Sequence, residues 1–321
     1  MTARPKAAQR GAAERSRTDF EARLRQIGDE RYHHRHPFNL RMHDGTLTRE
    51  EIQTWVRNRY YYQTRIHIKD GLILSKAQGA GFRREWIRRI RDHDGDRPGE
   101  GGLELWLALA DAVGLDRARV ERLEGVLPGV RRACDAYVHF VESHDLLESV
   151  ASSLTELFAG DIMKVRIAAF EKHYPWVHVE GLRYFASRTR QAPRDAAEGL
   201  GFVLREAHTR ADQDRCLAAL ERKCEILWNL LDAIEAAHAS PSLAPAAQLR
   251  SEEPSLVVLP ERAVQLNDTG REILALCDGS RSANAIADEL RRRHPEVDGV
   301  ESDVHDFLDQ MRRLGVLETG R

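Results

Sequence analysis

Apolar residues between positions 20 and 239 recur at steps of three and four. Trp55-Val56, Tyr60, Gln63 and Ile66 through Lys69 carry the step, and so do Trp86, Ile87 and Ile90. That period belongs to helices with one buried face. Breaks fall at 35–37, 43–45, 94–102, 127–129 and 174–176, where Pro, Gly, Asp and His gather. About seven helices are predicted between them, with no internal repeat.

After residue 240 the texture changes. Residues 240–254 read SPSLAPAAQLRSEEP, rich in Pro, Ser and Ala and without apolar period, so 241–254 is predicted to be a linker. Residues 256–259 (LVVL) and 263–266 (AVQL) are short strand-like runs. Thr269 and Glu272 have capping-box spacing and open a predicted helix that stops at Gly279. Amphipathic helices are predicted near 283–293 and 302–314. The expected fold class is mainly α: a helical bundle over 18–240, then a small winged-helix-like α/β module over 255–321. Residues 1–17 are Ala-, Arg- and Lys-rich without apolar period and are predicted to be a disordered tail.

Composition narrows the classes. A length of 321 residues suits two domains, and 22 Gly with 11 Pro leave few breakers in a helical chain. No run approaches the roughly 18 uninterrupted apolar residues of a membrane span, and the basic first 17 lack a secretory core, so a cytoplasmic protein is expected. Net charge is −2, but residues 251–321 hold 9 Arg, no Lys and 15 acids, a net −6, which leaves +4 on the first 250. An acidic appendage on a slightly basic body argues against nucleic-acid binding and suits an anionic small molecule. Cys134, Cys216, Cys224 and Cys277 form no C-x-x-C pair and are expected to be reduced, buried thiols without a zinc site.

E-x-x-H occurs at Glu30/His33 and Glu235/His238, the di-iron spacing, though with 14 His about one such match arises by chance. H-E-x-x-H, Walker A, G-x-G-x-x-G and G-x-S-x-G are absent. Polar density is more informative. Arg59, Tyr62 and Gln63 share a helix face, Lys69-Asp70 follows about two turns on, and Arg89/His93 and Tyr184/Arg188 repeat the i, i+4 spacing. Any one pair also suits a solvated face. Several together, among apolar neighbours, predict an interior pocket for an anionic, oxygen-rich ligand.

Longer strings carry a resemblance. Tyr32-His33 with His36-Pro37-Phe38, WVRNRYYYQTRI, Lys69-Asp70, RRIRDHDG, VLPGV, DAY at 135–137, ASSLTELFA, HYPW, the 184–194 stretch and ILWNLLD stand in the order and spacing of the pyrroloquinoline quinone (PQQ) synthase family, PqqC. The chain resembles that family over about residues 18–240. Residues 255–321, notably LPERAVQLNDTGREILALCDG, resemble PqqD, the peptide chaperone of the same pathway, and PqqC/D fusions are a known arrangement.

The resemblance implies a heme-oxygenase-like bundle that forms a homodimer and uses no metal or organic cofactor. The implied reaction is the last of PQQ formation: ring closure and oxidation by O2 of the reduced tricarboxylic precursor AHQQ, releasing hydrogen peroxide. Arg59, Arg89, Arg166 and Lys223 match ligand-anchoring positions, and Tyr32, Tyr62, Gln63, Lys69, Tyr137, Thr155 and Glu156 match further pocket positions. His93, Tyr184, Arg188 and His33 match the positions credited with catalysis. His93 is the expected general acid/base, because an unperturbed imidazole titrates near neutrality. Through 255–321 the resemblance implies the pathway's precursor peptide and its radical-SAM enzyme as partners, with no nucleic acid and no membrane.

Some positions depart from the family pattern. Met163 stands where a histidine is expected, His67 and Gly160 where Pro is usual, and Arg132 where Phe is usual. Glu156 and Met163 are seven residues apart and share a helix face, so Met163 is expected to line the pocket without a proton to exchange. The departures keep open a quinone-binding or delivery protein of the same fold. Two other heme-oxygenase-like enzymes stay open as well: a thiaminase-like hydrolase with Cys134 as the nucleophile, or a di-iron oxidase. The first of the three wing strands expected of a PqqD module is not recognisable before Leu256.

Overall fold

The structure, a computed structural model, describes residues 14–250 and 255–320. Helices fill the first part: α1 (Arg17–Arg31), α2 (Pro37–Asp44), α3 (Arg49–Lys76), α4 (Ala80–Asp94), α5 (Gly101–Ala112) and α6 (Arg117–Glu121). They continue with α7 (Pro128–Ser143), α8 (Leu146–Ser152), α9 (Glu156–His173), α10 (Arg183–Glu206) and α11 (Arg210–His238). Seven of these have 15 residues or more: α1, α3, α4, α7, α9, α10 and α11. The two longest, α3 and α11, both begin with a capping box, Thr48 with Glu51 and Thr209 with Asp212. Each cap typically contributes about 1 kcal/mol.

The long helices stand around a core of large aromatic residues. Trp55, Trp106, Phe170 and Phe185 are buried in mutual contact, with Trp55 edge-on to Trp106 at 5.4 Å between ring centroids. One glycine sets a close approach. A Cβ on Gly28 of α1 would lie 2.0 Å from Cζ of Phe158 on α9, so only glycine lets that ring in. The same ring stands 5.3 Å from the ring of Tyr32.

The predicted tail needs one correction. Residues 1–13 lie outside the described residues, but Arg15 is fixed to α11. Its backbone N–H donates to Gln213 and its guanidinium pairs with Asp214 at 2.7 Å.

The linker needs a larger one. Residues 240–250 are not a linker: they form β1 (Ser240–Leu243) and β2 (Gln248–Arg250), ahead of β3 (Leu256–Leu259) and β4 (Arg262–Gln265). Strands β2, β3 and β4 make an antiparallel sheet in that order, with Leu249 opposite Val257 and Val257 opposite Val264. The wing strand unseen in the sequence is therefore present as β2. Three residues show no period of their own, and only pairing with β3 defines them. Helices α12 (Asp268–Ala275), α13 (Ala283–Arg293) and α14 (Val300–Arg313) follow, and β5 (Leu317–Gly320) returns to pair with β1. The cap of α12 is Asn267, which accepts from the N–H of Gly270, rather than Thr269.

The module is docked on the bundle. Arg132 of α7 pairs with Asp306 and Asp309 of α14, and Arg312 donates to the carbonyl of Ala236. The N–H of Ala283, at the start of α13, donates to the carbonyl of Ala239 just after α11, at 3.0 Å. The departure at Arg132 thus faces the module and stands away from the predicted pocket.

Gly28→Ala should force Phe158 outward and cost about 1–3 kcal/mol, seen as a melting temperature several degrees lower. Adding Phe158→Leu should recover part of the loss.

Candidate active site

One cavity inside the bundle gathers the polar residues that the sequence singles out. It is lined by Tyr32, His33, Arg59, Tyr62, Gln63, Lys69, Arg89, His93, Tyr137, Thr155, Glu156, Met163, Tyr184 and Arg188. Polar side chains from α3, α4, α9 and α10 face one another across it.

Helix geometry explains the convergence. Arg59, Tyr62 and Gln63 lie on the inner face of α3, with Lys69-Asp70 about two turns further along. Helix α4 brings Arg89 and His93, and α10 brings Tyr184 and Arg188. The short helical turn at 153–155 leads into Glu156, the first residue of α9, and two turns on Met163 stands on the same wall.

Cations dominate the interior, and each is handled differently. Lys69 pairs with Asp70 at 2.7 Å and donates to Ser153; burial opposes its charge, but Asp70 holds its pKa above the usual lysine value. Arg188 pairs with Glu156 and, at 3.4 Å, with Asp195. Lys223 donates to the Tyr62 hydroxyl at 2.8 Å, and its Nζ sits 3.2 Å from the Tyr137 ring centroid. Burial, together with Arg59 and Lys69, drives its pKa well below the usual lysine value. Arg59, Arg89 and Arg166 have no carboxylate partner among the described residues. Instead they lie over aromatic rings: Tyr62 at 3.7 Å, Trp86 at 3.8 Å and Trp55 at 5.0 Å. Arg59 Nη1, Arg89 Nε, Arg166 Nε and Gln63 Nε2 are buried donors without an acceptor. Four such donors in one region cost folding energy unless a ligand brings acceptors.

His93 is held neutral. Its Nε2 donates to the carbonyl of Gln63 at 2.8 Å, which leaves Nδ1 bare. Burial pushes its pKa down to about 4, against opposing pulls from the Gln63 carbonyl, Asp70 and Asp94. Burial thus moves it away from the near-neutral titration expected of its residue type. Tyr184 donates to Oε1 of Gln63 at 3.2 Å, which turns the amide's N–H groups toward the cavity.

Two of the expected anchors, Arg166 and Lys223, do not form the cavity wall. They stand directly behind it, Lys223 against Tyr62 and Tyr137, Arg166 against Asn39. His67 lies on α3 outside the lining, its Nδ1 buried and unpartnered, and Arg132 is exposed at the module interface. A Cβ on Gly160 would meet Pro193 at ordinary contact, 3.5 Å, so nothing in the structure requires glycine there. Reading pairs alone missed Asp92, Gly102, Ser153, Gln191 and Asp195, which also line the cavity. Gln191 and Asp195 carry a legible signal, since 184, 188, 191 and 195 follow one face of α10.

The thiaminase-like and di-iron alternatives gain no support from these residues. Cys134 is fully buried outside the lining, and burial pushes its thiol up to about 12, so it offers no thiolate. All four cysteines are free and buried. The two E-x-x-H motifs do not meet: Glu30 is exposed and bonded to Gln26, while Glu235 is held by Arg41. Among the described residues, one group of His, Cys, Asp or Glu clusters closely enough to hold an ion: His36, Asp232 and Glu235. There His36 Nδ1 accepts from the N–H of Phe38 and Nε2 donates to Asp232, so no imidazole lone pair is left over.

The fold and site define a helical bundle around a donor-lined cavity, joined to a small sheet-and-helix module. The TENA/THI-4/PQQC family matches residues 21–233, and coenzyme PQQ synthesis protein D (PqqD) matches residues 255–317. A pyrroloquinoline-quinone synthase from Gluconobacter oxydans is 49% identical over 71% of this chain and 95% of its own length. A bifunctional coenzyme PQQ synthesis protein C/D from Methylorubrum extorquens is 36% identical over 94% of this chain and 95% of its own. A heme-oxygenase-like domain from Shewanella denitrificans has the same fold at 15% identity, with a TM-score of 0.57 over 69% of this chain and 92% of its own. A TenA homologue from P. horikoshii gives 13% identity and 0.55 over 67% and 97%. The chain belongs to the TENA/THI-4/PQQC family and carries a PqqD domain at its C-terminal end. It is an enzyme of PQQ biosynthesis.

His93 makes the protein sensitive to acid. Its folded pKa, about 4, lies below the unfolded 6.5, so the unfolded chain binds its proton first as pH falls. The stability it contributes is whole above pH 6.5 and is lost as pH drops toward 4. Between pH 7 and pH 5 that loss is about 2 kcal/mol. Urea titrations at the two pH values should show a smaller drop for His93→Gln than for the unmodified protein.

Proposed function

We propose that the bundle closes the last ring of a reduced tricarboxylic precursor and oxidises it to PQQ with O2. The observation that carries this reading is the pair of guanidiniums on the cavity wall, Arg59 and Arg89, without a carboxylate partner among the described residues, with a third, Arg166, directly behind the wall. Carboxylates of the precursor would supply acceptors to Arg59 and Arg89, which can grip them with parallel hydrogen bonds, and would answer the charge of Arg166 at longer range. No metal or organic cofactor enters this reading, so the substrate supplies the electrons. Each hydrogen peroxide released takes two electrons and two protons from the substrate into O2. His93 Nδ1, beside Gly102 on the cavity wall, is the base that receives a substrate proton. A bound anion opposite it raises its affinity for that proton. Arg188 and the Tyr184 hydroxyl provide positive charge and a proton donor beside the developing oxygen anion.

Met163 is 8% exposed and makes its part of the wall apolar. Anchoring groups are untouched by it, while one exchangeable proton is missing. Aerobic mixing of the protein with the reduced precursor, followed by the quinone spectrum, tests the reading. Conversion supports it, and tight binding without conversion supports a delivery protein instead. Met163→His should speed oxidation about tenfold or more at unchanged affinity. Arg59→Met and Arg89→Met should each weaken precursor binding by about 10- to 100-fold.

The module binds the pathway's precursor peptide by strand addition, and through it meets the radical-SAM enzyme that modifies the peptide. Supporting this, β4 pairs only with β3 among the described strands, which leaves its outer edge open. Calorimetry of the full chain with the precursor peptide should show saturable binding, and its absence removes the assignment. The reading places the protein in the cytoplasm as a homodimer. No helix of the described residues is long and apolar enough to cross a membrane.

A further inference from the structure

The two histidines of the cavity turn opposite groups toward it, His93 its bare Nδ1 and His33 its Nε2, and Asn39, outside the cavity lining, touches the other nitrogen of His33. We propose that Asn39 is a positioning residue that holds His33 as a neutral imidazole with its hydrogen on Nε2, so that the cavity meets a fixed donor at His33 and a fixed acceptor at His93. This inference rests on the reading of the cavity as a site for an oxygen-rich ligand.

Asn39 is fully buried on α2. Its Nδ2 donates to the His33 carbonyl at 2.7 Å and lies 3.0 Å from His33 Nδ1. Its Oδ1 accepts from Arg166 Nη2 at 3.0 Å. Chemistry fixes the amide's orientation. Reversed, it would set oxygen against the His33 carbonyl and N–H against the guanidinium, two repulsive contacts in place of two bonds. With both Nδ2 hydrogens directed at His33, Nδ1 must be the acceptor and Nε2 must carry the proton. His33 Nε2 makes no hydrogen bond among the described residues, and His33 lines the cavity. That N–H is free to point at a ligand oxygen.

The surroundings keep the ring uncharged. Arg59 comes from α3, Arg166 from α9 and Lys223 from α11, with His36 on the following turn; all of them oppose an imidazolium. Burial acts first and in the same direction, and the pKa lies well below the usual value. At His93 the carbonyl of Gln63 takes the Nε2 hydrogen, so Nδ1 is the free atom there. Arg166, set behind the wall, thus reaches the ligand through Asn39 and His33 as well as by its charge.

The test is histidine ¹⁵N–¹H NMR on the full chain, with the His33 signals assigned through His33→Gln. The expected spectrum is that of the Nε2–H form, unchanged between pH 8 and pH 5.5. An Nδ1–H or doubly protonated His33 in the unmodified protein overturns the proposal, whether or not Asn39 variants fold. In Asn39→Asp the carboxylate accepts from Nδ1, so the Nδ1–H signature should replace the Nε2–H one and the ring should titrate. If Asn39→Asp folds and retains the Nε2–H signature, Asn39 does not set the tautomer.

Kinetics add a second readout. Asn39→Asp should lower kcat at least tenfold, change KM by less than threefold and introduce a new ionisation in the kcat profile. A role in folding alone would lower the amount of active protein and leave the pH profile unchanged. Failure of the oxidation reading would appear separately, as no conversion by the unmodified protein with the NMR signatures intact.

Discussion

Like charges brought together out of water repel one another and resist burial, and the bundle is organised around that cost. Six basic side chains, Arg59, Arg89, Arg166, Arg188, Lys69 and Lys223, crowd one interior. Among the described residues only Lys69 and Arg188 of these have carboxylate partners. Lys223 is relieved by losing affinity for its proton, between two tyrosine rings. The other three arginines cannot lose theirs, so each rests on an aromatic face. The aromatic residues of α3 and α4 therefore serve packing and electrostatics at once. The cations left over are the ones an anionic ligand would complete.

Much of this was legible in the sequence, because a helix brings residues three and four apart onto one face. Arg59/Tyr62/Gln63, Arg89/His93 and Tyr184/Arg188 all reach the cavity on that arithmetic alone. Periodicity does not fix how deep a side chain sits, which is why Arg166 and Lys223 proved to stand behind the wall. Nor does it report burial, and burial moves His93 far from the titration its residue type suggests. Asn39 carried no periodic signal, since its contacts are His33 on the preceding turn and Arg166, 127 residues away.

The C-terminal region shows the other limit. Helical signals are local, but β2 exists only through its pairing with β3, and β1 only through its pairing with β5, whose partner residues lie more than 70 positions further along. Pro, Ser and Ala in that stretch read as a spacer because strand partners are invisible from one side. Arg132 is similar: an isolated cation in the sequence, a two-carboxylate contact in the fold.

Helix α11 ends at His238 and β1 begins at Ser240, with a single residue between the bundle and the module's first strand. That residue, Ala239, already accepts a hydrogen bond from the module. The chain has no slack there for one half to turn against the other. Both halves should consequently reorient in solution as a single particle with one correlation time, unlike two beads on a string.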